Sequence, residues 1–162
     1  MPAGEVSLST HAIETIALGK TLDDRPVIRG IDLSIAAGEY VVILGVNGAG
    51  KTTLLKMLST LTSPTSGSIR LFGPDLILAD EPFAGLDVPG ADAVERLLAN
   101  LHRAGKTIVM VNHDVSQSLR LSDRIIVLSD GVVREDRPSG GISPEQILKG
   151  MSSYRRAALA VA

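Results

Sequence analysis

The run Tyr40-Val41-Val42-Ile43-Leu44 passes directly into Gly45-Val46-Asn47-Gly48-Ala49-Gly50-Lys51-Thr52, and this junction restricts the fold more than any other stretch. Apolar residues in unbroken succession suit a parallel strand covered on both faces. Glycines at 45, 48 and 50 allow a turn whose N–H groups point inward, and 51–61 carries Leu54, Leu55, Met57, Leu58 and Leu61 as a helical stripe. Strand end, glycine turn and helix start form an anion cup. Unpaired N–H donors and the positive helix end converge, Lys51 supplies a cation, and Thr52 offers a hydroxyl to Mg²⁺. Asn47, Gly48, Ala49, Gly50, Lys51 and Thr52 are the candidate phosphate-binding residues, and a nucleoside triphosphate is the expected ligand.

Strand patterns are expected over 13–18, 31–35, 40–44, 68–72, 76–79, 107–111, 125–128 and 132–134, and helices over 51–61, 91–101 and 115–121. Asp130-Gly131 between two apolar runs is a hairpin turn signal. Ser143, Pro144 and Gln146 have the spacing of a capping box with proline at the first helical position, so a C-terminal helix should begin there. Strands alternating with helices imply an α/β fold with a mainly parallel sheet flanked by helices, preceded by an N-terminal antiparallel β portion.

With 162 residues the chain has the size of one domain, 1–162, in which about 138–162 reads as linker and helix. Acidic and basic residues nearly cancel, 18 against 16, so no nucleic acid partner is expected. Absent cysteines rule out disulfides and thiolate metal sites. The start, Met1-Pro2-Ala3-Gly4-Glu5-Val6, lacks a basic region followed by an apolar one, and no apolar run is long enough to span a bilayer. The expectation is a cytoplasmic protein.

Leu76-Ile77-Leu78-Ala79 leads to Asp80-Glu81, where the aspartate can hold Mg²⁺ and the glutamate can orient an attacking water. Asp80-Glu81-Pro82-Phe83-Ala84-Gly85-Leu86-Asp87 resembles the Walker B segment and D-loop of ATP-binding cassette (ABC) ATPases, particularly transporter subunits. Gly45 to Thr53 is similar to their Walker A, and Val111-Asn112-His113-Asp114 resembles their H-loop. The resemblance implies a P-loop NTPase core that binds ATP with Mg²⁺. Lys51 would hold the β- and γ-phosphates with help from Thr53, and Thr52 and Asp80 would be the metal ligands. Glu81 and His113 would be catalytic, polarising water and touching the γ-phosphate, and Asp87 would face a second nucleotide-binding domain. A transmembrane permease is the other implied partner, holding the chain at the inner face of the membrane. His11 and His102 lack such context and are expected at the surface.

The same comparison exposes departures. Leu71-Phe72-Gly73 passes straight into Pro74-Asp75-Leu76, where the family carries a Q-loop, a helical subdomain and a Leu-Ser-Gly-Gly-Gln signature. An internal deletion near 73–74 is the expectation, and all three features are missing. Ser139-Gly140-Gly141 is no substitute, because it follows the last strands. Leu22 falls where the family places an adenine-stacking aromatic. Without signature donors on the transferred phosphoryl, turnover by this chain alone should be poor.

Overall fold

The computed structural model describes residues 10–73 and 75–159, so the amino-terminal run Met1 to Val6 and Pro74 at the expected deletion junction lie outside it. Along the chain run β1 (His11–Leu22), β2 (Arg25–Ala36), β3 (Tyr40–Leu44), α1 (Lys51–Leu58), β4 (Ser66–Leu71) and β5 (Leu76–Asp80). They are followed by α2 (Val88–Arg103), β6 (Thr107–Val111), α3 (Val115–Leu121), β7 (Arg124–Ser129), β8 (Val132–Pro138) and α4 (Pro144–Leu159).

Two sheets form. A five-stranded sheet has the order β5-β6-β3-β7-β8, parallel except for the β7–β8 hairpin, and a three-stranded antiparallel sheet has the order β2-β1-β4. The expected α/β class, parallel core and antiparallel amino-terminal portion are all present. β3, β6 and most of β7 are buried throughout, and residue parity divides their side chains between two cores. Val41, Ile43, Val109, Val111, Ile126 and Leu128 pack with α1 and the antiparallel sheet. Val42, Leu44, Ile108, Met110, Ile125 and Val127 pack with Leu98 of α2, Val115 of α3 and Ile147 of α4. A buried side chain of this size contributes about 1.5–3 kcal/mol, so the central sheet is the rigid base from which the loops project.

Several boundaries differ from the sequence expectation. β1 and β2 form one hairpin of 12-residue strands, turned by Asp23 and Asp24 at φ 46° and 61°. α1 stops at Leu58 instead of 61, and Thr60 takes the left-handed conformation just beyond it. α2 begins three residues earlier than 91, because the Asp87 side chain accepts the Gly90 N–H at 3.0 Å and Pro89 sits in the first turn. The carboxy-terminal helix does carry its capping box: Ser143 N–H donates to Gln146 Oε1 (2.9 Å), and Gln146 N–H to Ser143 Oγ (3.3 Å). His102 is half-buried and has partners, unlike a free surface residue. Its ring lies edge-on to Tyr40 at 5.5 Å, with Nε2 3.1 Å from the Gly38 carbonyl and 3.0 Å from Asp123. His11, at the start of β1, sits 3.5 Å from Glu14.

Candidate nucleotide-binding site

The parallel strands β3, β5 and β6 end on the same side, where ligands of open α/β sheets bind. From β3 the chain turns through glycines that the local geometry demands. A Cβ at Gly45 would lie 2.4 Å from the Leu128 carbonyl oxygen, and Gly50, at φ 100°, caps α1 in a left-handed conformation. Leu54 N–H makes its bond to the Gly50 carbonyl at 2.8 Å. The N–H groups of Lys51, Thr52 and Thr53 belong to the first turn, which has no intrahelical acceptors to offer them.

A pocket of about 330 Å³ opens over this turn, lined by Val27, Asn47, Gly48, Gly50, Lys51, Thr52, Thr53 and Glu81. Seven of these come from the motifs singled out in the sequence. Val27, from β2, does not, because nothing in its local pattern marks a strand residue that reaches the pocket across two sheets. Ala49 is buried instead; its N–H bonds to the Val46 carbonyl (3.1 Å) and its carbonyl accepts the Gly131 N–H (3.1 Å). Ala49 therefore ties the loop to the β7–β8 turn.

Lys51 is buried, and its ammonium donates to the carbonyls of Gly45 (2.8 Å) and Val46 (3.1 Å). Burial lowers its pKa, while the negative charges of Glu81 and Asp80 oppose that shift. A charge held among carbonyls beside two carboxylates is poised to take anionic oxygens as a stronger partner.

Asp80 is exposed at the end of β5, and Glu81 follows at φ 47° with its N–H bonded to the Val111 carbonyl (2.9 Å). A glutamate held in the left-handed region is strained, and such strain persists where surrounding bonds fix it. The Glu81 carboxylate stands 3.7 Å from His113 Nδ1, which brings the loop after β6 to the pocket rim. Asp87 is elsewhere, capping α2. Thr52 and Asp80 offer a hydroxyl and a carboxylate suited to Mg²⁺. Among the described residues no three His, Cys, Asp or Glu cluster as a metal site, so a cation here would complete its shell with phosphate and water oxygens.

A strand–glycine turn–helix cup facing an acidic strand end defines a P-loop nucleotide-binding protein. The family model described as "ABC transporter" matches residues 28–131, and the chain belongs to that family as an ATP-binding subunit. Among curated relatives it is similar to the aliphatic sulfonates import ATP-binding protein SsuB 3 of Nocardia farcinica (strain IFM 10152). The two are 28% identical, with 90% of each chain covered. That alignment runs over 223 residues against 162 in this chain, so the relative carries residues with no counterpart here. Among solved structures, cbiO1 from Clostridium perfringens, part of the ABC transporter complex cbiONQ, superposes with a TM-score of 0.73 at 18% identity. It covers 93% of this chain and 95% of its own. A dimeric post-hydrolysis state of the ATP-binding cassette MJ0796, bound to ADP and Pi, gives 0.71 at 19% identity, over 80% of this chain and 100% of that one. ABC ATPases bind ATP, usually with Mg²⁺, and hydrolyse it. Among the described residues no helix is long and apolar enough to cross a membrane.

Proposed function

We propose that the chain binds Mg-ATP in the pocket over Gly45 to Thr53 and serves as the energising subunit of a transporter, working with a membrane permease at its inner face. The observation that carries this reading is the convergence of Lys51, Thr52, Thr53 and Glu81 on one pocket at the strand ends. Lys51 exchanges its loop carbonyls for phosphate oxygens, with the N–H groups around Gly48 and Gly50 completing the cradle. Thr52 and Asp80 would hold Mg²⁺, which would supply neutralisation of phosphate charge. Glu81 orients water for attack, and His113, 3.7 Å from the Glu81 carboxylate, reaches the terminal phosphate. Asp87, on the exposed start of α2, meets a second nucleotide-binding domain. The name of the sulfonate-import relative points to an importer of small anionic organic compounds, whose identity a permease would select.

Hydrolysis needs donors this chain does not bring, since its sequence holds no Leu-Ser-Gly-Gly-Gln segment. We infer that a partner cassette supplies them. A second reading, favoured by the 223-residue alignment of a 162-residue chain, is an internally deleted domain, shortened near 73–74, that binds nucleotide without turning it over. Phosphate release from Mg-ATP, with a signature-bearing cassette added, separates them. Transport energising predicts release that Glu81→Gln reduces about 10²-fold or more; equal release by the two proteins leaves only nucleotide binding.

A further inference from the structure

Asn112 is a polar side chain buried at the end of β6, only 3% exposed, and the site described above does not use it. The peptide unit on which it sits joins three strand ends. Its carbonyl side, Val111, accepts the Glu81 N–H at 2.9 Å, and its amide side, Asn112 N–H, donates to the Ile43 carbonyl at 3.3 Å. One peptide plane thus links the strand that feeds the glycine turn, the strand that ends in the acidic pair, and the loop that carries His113.

The side chain extends this joint outward. Asn112 Oδ1 accepts the N–H of His113 (2.8 Å) and of Asp114 (3.3 Å), while Nδ2 donates to Gln117 Oε1 (3.1 Å) on α3. Two backbone donors on one oxygen fix which end of the amide faces inward. Asp114 in turn caps α3 by accepting the Gln117 N–H at 2.8 Å. His113 is 67% exposed, so little packing from the solvent side holds its ring 3.7 Å from Glu81. Its orientation is set from the backbone, and the carboxamide of Asn112 is what grips that backbone.

We propose that Asn112 is a positioning residue: by holding the His113 and Asp114 amides it aims the His113 imidazole at Glu81 and at the terminal phosphate of the bound nucleotide. This rests on the Mg-ATP reading above. A serine at 112 keeps a neutral accepting oxygen for the loop amides, whereas alanine removes it, and neither alters a P-loop residue. Equilibrium affinities of the whole chain for a non-hydrolysable ATP analogue and for ADP test the claim. Asn112→Ala should weaken the triphosphate about tenfold and ADP less than about twofold, Asn112→Ser should retain more of the triphosphate affinity than Asn112→Ala, and adding His113→Ala to Asn112→Ala should cost little more than His113→Ala alone. Equal weakening of both nucleotides, or additive losses, would overturn it. Hydrogen exchange of the His113 and Asp114 amides is read on the same proteins without ligand. Protection should fall about tenfold in Asn112→Ala and less in Asn112→Ser. If wild type binds neither nucleotide, the functional reading fails, and this exchange difference alone decides whether Asn112 grips the loop: unchanged protection refutes the grip.

Discussion

Gly131→Ala is the substitution whose cost follows most directly from the structure. Asp130 and Gly131, at φ 51° and 74°, make the two-residue turn of the β7–β8 hairpin. The turn is pressed against β2: a Cβ on Gly131 would lie 2.2 Å from the Val27 carbonyl oxygen and 2.8 Å from its carbon, and neither atom is the free end of a side chain. Gly131 also gives its N–H to Ala49 in the phosphate loop (3.1 Å) and accepts that of Arg29 (2.9 Å). Left-handed backbone for a non-glycine residue costs about 1 kcal/mol. Displacing the contact costs about 1–3 kcal/mol, and each weakened hydrogen bond about 0.5–1.5 kcal/mol. With both hydrogen bonds weakened the expected total is about 3–7 kcal/mol, roughly a 6–28 °C fall in melting temperature for a domain of this size. Two controls separate the contributions. Gly30 has φ 64° with no atom within 4 Å of an added Cβ, so Gly30→Ala should lose only about 1 kcal/mol; Gly140 has open space and no positive φ, so Gly140→Ala should stay within about 0.5 kcal/mol. Urea unfolding with linear extrapolation measures all three. Gly131→Ala no more costly than Gly30→Ala would refute the close approach of turn, β2 and phosphate loop.

Burial, and secondarily the charge of Glu95, pushes the Tyr40 phenol up to about 12 from 10.0. The folded state holds that proton more tightly, so the associated stability is complete below pH 10 and declines as pH rises to 12, by about 2–3 kcal/mol. Urea unfolding of Tyr40→Phe against wild type across that interval should show the steeper decline in wild type, the difference between the two profiles being the Tyr40 contribution; parallel profiles would contradict it. Asp87→Ala removes the cap of α2 and should cost about 1 kcal/mol in the same assay while leaving nucleotide affinity of the isolated chain unchanged, and an unaltered unfolding midpoint would show the cap to be idle.

What could be read in the sequence was whatever local chemistry dictates. The apolar runs of β3 and β6 and the glycine loop between β3 and α1 are marked by contiguous residues, and the positive φ of Gly48 and Gly50 is a local demand for glycine. The β1–β2 hairpin was harder. Asp23-Asp24 lacks the glycine that advertises such turns, and bulges at several points along β1 break the alternation of its pattern. His102 was illegible because its partners, Gly38, Tyr40 and Asp123, are distant in sequence and meet it only when α2 packs on the central sheet. For the same reason Val27 could not be placed at the pocket, while Lys51, Thr52 and Glu81 could. Asp87 was legible only through the family pattern, whereas its side chain completes the start of α2, a role that its spacing to Gly90 encodes locally.

Titration calorimetry of wild type and Lys51→Ala with Mg-ATP tests the central claim, that the pocket over the glycine turn grips a triphosphate through Lys51. Wild type should bind, and loss of charge-assisted contacts from a buried ammonium should weaken binding about 10–100-fold. No heat from wild type at millimolar nucleotide, or equal affinity in the two proteins, would contradict the account.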